Sequence, residues 1–319
     1  MAYSNAGNEV MGRIFDIKRF ALHDGPGTRV TVHLKGCSLS CLWCHNPEGI
    51  SHEPQLLVRQ DFCISCGLCL EACSYNAIHK REGKIVTDRQ RCVACGACAT
   101  ICPAKAREII GINMSAADAA IAILKDESFF HSDDWTSPGN PSKKGGVTLS
   151  GGEPLEQIEF CLTLLDILGR KGIHRAIDTS GHVPEEIICR AADHCELFLY
   201  DLKHIDTAKH RDYTGMGNEL ILSNLSKLSQ RGSLIQIRVP FIPGLNSEDD
   251  NISAIAGLAA SLNGITGVNI LPYHKAAANK HKRWGISSKL GDIAEPSEAE
   301  LQRAIELFAQ KGIAAQIGG

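Results

Sequence analysis

Residues 36–48 read GCSLSCLWCHNPE and place Cys37, Cys41 and Cys44 in a C-x3-C-x2-C pattern. The residues just before them, RVTVHLKG (29–36), are apolar and β-branched, which predicts a strand that runs directly into this loop. Three thiolates can bind three corners of a four-iron, four-sulfur (4Fe–4S) cluster and leave one iron without a protein ligand. The stretch therefore predicts a cluster with an open iron, comparable to the free position of a catalytic zinc site.

The composition limits the classes of protein to which the chain can belong. It has 319 residues, 33 basic and 36 acidic side chains, a net charge of −3 and 14 cysteines. This balance argues against a strongly basic nucleic-acid or membrane-surface binder. The sequence has no apolar run of about 18 residues and no basic start followed by an apolar core, so we expect no membrane span, no signal peptide and a cytoplasmic location. In that compartment clustered cysteines indicate metal ligands rather than disulfides.

Two runs of four cysteines form an internal repeat. CISCGLCLEAC and CVACGACATIC are offset by 29 residues, and they supply Cys63, Cys66, Cys69, Cys73, Cys92, Cys95, Cys98 and Cys102. In two-cluster ferredoxins the fourth cysteine of such a run binds the other cluster. The spacing predicts one cluster held by Cys63, Cys66, Cys69 and Cys102, and another held by Cys73, Cys92, Cys95 and Cys98. The ferredoxin pattern ends in Cys-Pro, and only the second run does so. The alternative to two clusters is a pair of four-thiolate zinc sites.

The rest of the chain predicts alternating strands and helices. After the first strand, the predicted strands are GGVTLSGGEP (145–154), HRAIDTSG (174–181), ELFLYDLKHI (196–205), LIQIRVPFIPG (234–244) and VNILPYH (268–274). Helices are predicted after Ser115, over residues 155–172, and in the segments 247–264 and 297–312, from their apolar spacing, acidic starts and glycine ends. Six strands separated by helices imply a parallel sheet, and polar residues follow the strands at their carboxyl ends. Residues 131–146 predict an exposed loop to which we assign no role.

The cysteine loop resembles a known signature. C-x3-C-x2-C with an aromatic residue, Trp43, before the last cysteine resembles the pattern of the radical S-adenosylmethionine enzymes. In that superfamily the open iron binds the amino and carboxylate groups of S-adenosylmethionine. Electron transfer then cleaves the cosubstrate to methionine and a 5′-deoxyadenosyl radical, which removes a hydrogen atom from the substrate.

The order of further motifs narrows the resemblance. DGPGTR (24–29), the cysteine loop, LSGGEP, DTSG, DLK and LPYH, in this order, resemble the glycyl radical enzyme activating enzymes, in the longer branch with a two-cluster insert. The resemblance implies an α/β fold, namely a partial (β/α)6 TIM-like barrel formed by residues 1–51 and 112–319. The ferredoxin-like insert would span residues 52–111.

The resemblance also implies cofactors and partners. Three 4Fe–4S clusters, S-adenosylmethionine and a monovalent cation are expected. The protein substrate would be a glycyl radical enzyme that docks transiently onto a monomeric activase. The electron donor would be a reduced flavodoxin or ferredoxin.

Site residues follow from the same resemblance, position by position. Cys37, Cys41 and Cys44 would hold the catalytic cluster. Trp43 and His45 would contact the adenosyl part, and the turn Gly151-Gly152-Glu153 would receive the methionine amino group. Asp178, Thr179, Asp201 and Leu202 match positions around the cosubstrate and the cation, and Lys203 and His274 match cosubstrate contacts. Arg238 is expected to face the same cavity, and Asp24 to touch the incoming peptide.

Alternatives stay open at this point. A Gly-Gly-Glu turn and a single Asp178 are also common in ordinary turns and helix caps. The chain could instead be another radical S-adenosylmethionine enzyme, acting on a peptide or a small molecule, or an iron–sulfur electron-transfer protein. The last class would explain the insert but not the three-cysteine loop. The sequence does not identify which glycyl radical enzyme would be the partner.

Overall fold

A nine-stranded sheet forms the centre of the computed structural model, which describes residues 9–130, 145–275, 280, 284, 290 and 293–318. Most of the predicted loop 131–146 therefore lies outside the described residues. The strands are β1 (Met11–Ala21), β2 (Arg29–Leu34), β3 (Gln55–Val58), β4 (Ile78–Arg81), β5 (Lys84–Thr87), β6 (Arg107–Ile110), β7 (Ile112–Ser115), β8 (Gly146–Gly151), β9 (His174–Thr179), β10 (Leu197–Asp201), β11 (Ile235–Phe241), β12 (Ile265–Pro272) and β13 (Ala315–Ile317).

The helices lie mainly between the strands of this sheet. They are α1 (Leu68–Glu71), α2 (Ala97–Thr100), α3 (Ala116–Leu124), α4 (Ile158–Gly169), α5 (Glu185–Ala192), α6 (Thr207–Thr214), α7 (Glu219–Gln230), α8 (Asp249–Ser261) and α9 (Glu298–Ala309). The Ser115 hydroxyl accepts a hydrogen bond from the Asp118 amide, and Ser297 forms a capping box with Glu300. These caps fix the starts of α3 and α9, as the sequence predicts. In the part of the chain described here, no helix is both long and apolar enough to cross a bilayer.

The main sheet is mostly parallel. The order is β13-β12-β11-β10-β9-β8-β2-β1-β7. Strands β2 and β8 to β13 pair in parallel, whereas β1 pairs antiparallel with both β2 and β7. The prediction of an α/β fold with a central parallel sheet is confirmed for its six strands. Strands β1, β7 and β13 were missed, because β1 mixes apolar with charged residues and the other two are short.

The two faces of the parallel sheet differ in chemistry. Successive side chains of a strand point to opposite faces, and here apolar and polar residues alternate. The helix-covered face carries Val32, Leu149, Ile177, Tyr200, Ile237 and Ile270, all within one large apolar core. The opposite face carries Thr31, Ser150, Asp178, Asp201, Arg238 and Asn269. The predicted polar site residues of these strands, such as Asp178 and Asp201, thus lie on one face of the sheet.

The insert between β2 and β7 has an internal twofold arrangement. Adding 29 to the residue numbers of β3 gives β5, and adding 29 to those of β4 gives β6. Strand β3 pairs with β6, and β4 pairs with β5, so the first strand of one repeat always pairs with the last strand of the other. Helices α1 and α2 both follow a left-handed glycine, Gly67 (φ 85°) and Gly96 (φ 86°). The sequence repeat is therefore also a structural repeat.

Substitution at Gly12 tests the packing of β1 against the core. A Cβ at this position would overlap the ring of Phe160, a buried residue of α4. We expect Gly12→Ala to destabilise the protein by about 1–3 kcal/mol through overpacking. The control is Gly257→Ala in α8, where a Cβ meets nothing within 4 Å and helix propensity favours alanine. Thermal unfolding under anaerobic conditions should rank Gly12→Ala below wild type and Gly257→Ala at or above it. The reverse order would contradict this packing.

Candidate functional site

The predicted site residues meet at one edge of the parallel sheet. The cysteine loop follows β2, the Gly-Gly-Glu turn follows β8, and Asp178 lies near the end of β9. Asp201 ends β10, and Lys203 follows it two residues later. Because these strands are parallel neighbours in the sheet, their carboxyl ends lie side by side. The structure therefore brings together residues that are up to 166 positions apart between Cys37 and Lys203.

Backbone hydrogen bonds fix the start and the middle of the cysteine loop. The Cys37 amide donates to the carbonyl of Ile50 at 3.1 Å. The Ser40 amide donates to the carbonyl of Thr214 at 2.7 Å, and the Leu42 amide donates to that of Tyr213 at 3.0 Å. The end of α6 thus supports the middle of the loop. These hydrogen bonds hold the backbone of the loop in place without using the cysteine thiols.

Side chains that the sequence analysis missed also hold this loop. Glu156 accepts a hydrogen bond from the Ser38 amide at 2.7 Å, and the Ser38 hydroxyl lies 2.8 Å from His182 Nδ1. Glu156 also pairs with His52 at the start of the insert. Nothing in the sequence separates Glu156 from an ordinary acidic residue at a helix start. Its role depends on the tertiary structure.

Burial keeps the three loop thiols protonated when no metal is bound. Burial raises the pKa of Cys37 and Cys41, and it raises the pKa of Cys44 to about 12. The charge of Lys203 opposes this effect at Cys41. Thiolates rather than thiols bind metals, so metal binding at this loop must release protons.

The Gly-Gly-Glu turn leaves no room for side chains at its first two positions. A Cβ on Gly151 would overlap the backbone of Leu34, and a Cβ on Gly152 would overlap the carbonyl oxygen of Gly36. The turn packs directly against the backbone that leads from β2 into the cysteine loop. Glycine is required here because of this close approach of two backbones.

Glu153 joins the ends of β8 and β9. Its carboxylate is fully buried and accepts hydrogen bonds from Thr179 Oγ1 at 2.7 Å, the Ser180 amide at 2.9 Å and Ser180 Oγ at 2.7 Å. Burial raises the pKa of Glu153, and these hydrogen bonds partly oppose the rise. The side chains of Glu153 and Thr179 therefore satisfy each other, and what the turn offers a ligand is its backbone.

Charged residues form a network on the polar face of the sheet. Asp178 accepts a hydrogen bond from Ser150 Oγ at 2.7 Å and lies 3.2 Å from Arg238 Nη1. Lys203 Nζ lies 2.8 Å from Asp201. Burial raises the pKa of Asp178 to about 6, with a further rise from Asp201 and an opposing effect of Arg238. The network sets two carboxylates beside two cations in a buried setting.

Asp24 extends this network from the loop before β2. Its carboxylate accepts a hydrogen bond from Thr31 Oγ1 at 2.8 Å and lies 3.8 Å from Lys18. Burial raises the pKa of Asp24, but the Thr31 hydrogen bond and the charges of Arg238 and Lys18 outweigh it, and the pKa is lowered. The DGPG turn therefore presents an ionised carboxylate next to the polar face.

The remaining predicted cosubstrate contacts differ in exposure. Trp43 is 4 % exposed and packs with Ile242 and Tyr273 in a separate apolar cluster. Leu202 is buried, and its amide donates to the Arg238 carbonyl at 2.9 Å. His45 and His274 are exposed. Both histidines are thus open to solvent, whereas Trp43 is not.

The insert has two cavities, each lined by four cysteines. The first cavity contains Cys63, Cys66, Cys69 and Cys102, and the second contains Cys73, Cys92, Cys95 and Cys98. These are the two sets that the crossed ferredoxin pairing predicts. Among the residues described, no three His, Cys, Asp or Glu side chains converge as ligands of a single metal ion. In a 4Fe–4S cluster each thiolate binds a different iron, so the four thiols need not converge on one point.

The second cavity lies nearer the main sheet than the first. Leu56 and Ile109 line it, and the neighbouring Gln55 accepts a hydrogen bond from Lys35 Nζ at 3.1 Å. Val58 and Arg107, at the far end of the same two strands, line the first cavity. The two cavities thus lie at different distances from the strand that carries the cysteine loop.

Comparisons with known proteins agree with this geometry. Residues 62–106 match the family described as the 4Fe-4S dicluster domain. The trans-4-hydroxy-L-proline dehydratase activating enzyme of Clostridioides difficile is 40 % identical over 96 % of this chain and 99 % of its own length. The choline trimethylamine-lyase activating enzyme of Oleidesulfovibrio alaskensis is 36 % identical over 91 % and 92 %. The Streptococcus suis protein SuiB, solved with its precursor peptide SuiA, shares only the fold, at 13 % identity, a TM-score of 0.54, and coverage of 93 % and 49 %.

Glu153→Gln tests the joint between β8 and β9. The glutamine amide would point N–H donors at Thr179 or Ser180, which are donors themselves, and one buried group would lose its partner. We expect a loss of about 1–3 kcal/mol in stability and weaker binding of S-adenosylmethionine. Glu159→Gln is the control, because this α4 side chain is 67 % exposed and pairs with Arg190 at the surface. Thermal unfolding and a binding titration measure both effects. Equal behaviour of the two variants would contradict the role of Glu153.

Proposed function

The chain belongs to the activating enzymes of glycyl radical enzymes, and from this premise we propose how its own residues carry out the activation. It is a radical S-adenosylmethionine enzyme that contains an iron–sulfur dicluster domain and generates a radical on a partner glycyl radical enzyme. The ligands, the number of clusters and the contacts of the cosubstrate are the subject of the proposal.

Cys37, Cys41 and Cys44 are the proposed ligands of the catalytic cluster. Three thiols in one short loop suit a cluster with one open iron, and the structure supports that loop from both sides. A 4Fe–4S cluster bound there supplies the electron that cleaves S-adenosylmethionine to methionine and the 5′-deoxyadenosyl radical that takes a hydrogen atom from a partner glycine. The charge of Lys203 opposes the rise that burial causes in the pKa of the Cys41 thiol, so it favours the metal-binding thiolate form.

The cosubstrate is proposed to bind along the same edge of the sheet. The backbone of Gly151, Gly152 and Glu153 would accept the methionine amino group, because the side chain of Glu153 is already committed to Thr179 and Ser180. Lys203 acts on the charge state of Cys41 in the cluster loop and would pair with the methionine carboxylate. The other proposed contacts are Trp43, His45 and His274 on the adenosyl side, and Asp178, Thr179, Asp201 and Leu202 around a monovalent cation.

Asp24 and Arg238 are proposed to face the incoming glycine loop. Both belong to the buried charged network, and each influences the charge state of the other. The target glycine of the partner has no side chain, so its backbone can come close to these fixed charges. The charges can then orient the amide groups beside it. The hydrogen atom removed would be one of the glycine Cα hydrogens. The radical left behind is delocalised onto the flanking amides.

The insert is proposed to hold two further clusters, which makes three per chain. Its ligand sets are those of the two cavities, and the insert would span residues 52–111 between barrel segments 1–51 and 112–319. Such paired clusters supply electron transfer. The electron donor would be a reduced flavodoxin or ferredoxin. The activase would be a monomer, and its main sheet would curve into a partial (β/α)6 barrel. A transient complex needs only a small, partly polar interface with the partner.

One observation carries this proposal: the three-cysteine loop and the charged network lie together on one edge of a sheet whose chain matches known activating enzymes over nearly its full length. An electron-transfer protein needs no such network beside an open cluster. A peptide-modifying enzyme would use the same chemistry on a different substrate, so the substrate is what the decisive experiment must identify.

The iron content tests the crossed assignment of the insert cysteines. Anaerobically reconstituted protein should hold about twelve iron atoms. The pair Cys63→Ala and Cys102→Ala should together remove one cluster, about four iron atoms, because both residues belong to one site. The pair Cys63→Ala and Cys73→Ala should remove two clusters, about eight iron atoms. If the second pair lost no more iron than the first, the assignment would be wrong.

The radical assay tests the function. Reduced protein, S-adenosylmethionine and a candidate glycyl radical enzyme, mixed without oxygen, should give a doublet electron-spin signal on the partner. The signal should disappear when the target glycine of the partner is replaced by alanine. Cys41→Ala should form no 5′-deoxyadenosine, whereas Cys189→Ala, a cysteine packed beside the core, should keep its activity. If the protein consumed S-adenosylmethionine while acting on a small metabolite, and no candidate partner gained a radical, the result would favour the alternative of a radical S-adenosylmethionine enzyme with a small-molecule substrate.

A further inference from the structure

A buried arginine lies between the two four-cysteine cavities. Arg107 is 4 % exposed, and its side chain lines the first cavity together with Cys63, Cys66, Cys69 and Cys102. Its Nη1 donates to Thr87 Oγ1 at 2.8 Å, and its Nη2 is buried without a hydrogen-bond partner among the residues described. No acidic partner neutralises this cation within the contacts described. A buried cation with an unused donor needs an anionic neighbour.

Arg107 also faces the second set of cysteines. Burial raises the pKa of Cys98, and the charge of Arg107 and its hydrogen bond to the thiol oppose the rise. Cys98 belongs to the second cavity. The guanidinium is therefore close to a thiol of each set.

The twofold repeat makes this arginine an exception. The residue 29 positions before Arg107 is Ile78, which begins β4 as Arg107 begins β6. Ile78 lines the second cavity, in the place that corresponds to Arg107 in the first. Some other lining positions keep the same chemistry in both repeats, such as Leu56 and Ile85 or Ala77 and Ala106. The repeat thus places a cation at this position of the first cavity and an apolar side chain at the equivalent position of the second.

We propose that Arg107 tunes the redox chemistry of the insert: it raises the reduction potential of the insert clusters, and most strongly that of the cluster held in the first cavity. This inference rests on the proposed cluster ligands. A 4Fe–4S cluster with four thiolates is an anion and gains one more negative charge on reduction. A buried cation stabilises the more negative state, because the charge is little screened there.

The redox step involves one electron and no bond to a proton. Each cluster accepts one electron, and a one-electron donor such as a reduced flavin or ferredoxin protein, or dithionite in the assay, loses it. Arg107 stays protonated throughout. Its effect is therefore a shift in the equilibrium of electron transfer, which a potential measures directly.

The experiment is a redox titration of the full-length holoprotein, followed by electron-spin resonance. Insert signals are identified as those that do not change on addition of S-adenosylmethionine. Arg107→Met should make reduction of at least one insert cluster tenfold or more less favourable, a drop of 59 mV for one electron. Arg107→Lys keeps the charge and should restore most of the potential. Arg91→Met is the control: Arg91 precedes Cys92, but its side chain is 67 % exposed, so solvent screens it and little shift is expected.

Each outcome decides the proposal. Iron content and the wild-type spectrum first establish that the insert clusters exist, so failure of the ligand assignment is seen separately. Unchanged potentials in a fully loaded Arg107→Met protein would overturn the inference. If Arg107→Met fails to load its clusters, Arg107→Gln removes the same charge with a polar side chain, and unchanged potentials there count against the proposal. Loss of the clusters in both neutral variants, but not in Arg107→Lys, would mean that the cation holds the clusters rather than tuning them.

Discussion

The parallel pairing of β2, β8, β9 and β10 is the constraint on which the site depends. It sets the carboxyl ends of four strands side by side, so a cysteine loop, a Gly-Gly turn and two carboxylates meet without any contact in sequence. The buried carboxylate of Glu153 then fixes two of these ends to each other through Thr179 and Ser180. Loss of that joint would move the Gly-Gly turn away from the cysteine loop that packs against it.

Charge balance inside the site follows from the alternation of the strands. One face of the sheet is largely apolar and covered by helices, so the charged side chains of the site lie on the other face. Asp24, Asp178 and Asp201 would repel one another there, and Arg238 and Lys203 offset this repulsion. A buried group of this kind keeps its charges only while both signs are present. The proposed cosubstrate likewise carries both an amino and a carboxylate group.

The insert differs from the main sheet in what stabilises it. Its core is small, and five of the eleven residues in that core are cysteines. Metal binding would then supply much of its folding free energy. Two copies of one 29-residue unit build it, and their strands pair crosswise, which places the last cysteine of each run in the cavity of the other. Arg107 breaks the equivalence of the two copies, because the equivalent residue in the first copy is the uncharged Ile78.

The sequence alone determined the six parallel strands, the capped helices, the duplicated insert and the three-cysteine loop, because spacing and alternation are local properties of the chain. It also grouped the insert cysteines as the two cavities group them. The tertiary structure decided the rest: strands β1, β7 and β13, the role of Glu156 and Ser38 at the cysteine loop, and the commitment of Glu153 to Thr179 and Ser180. These depend on which distant backbones approach each other. A buried hydrogen bond between residues far apart in the chain leaves no periodic signal in a single sequence.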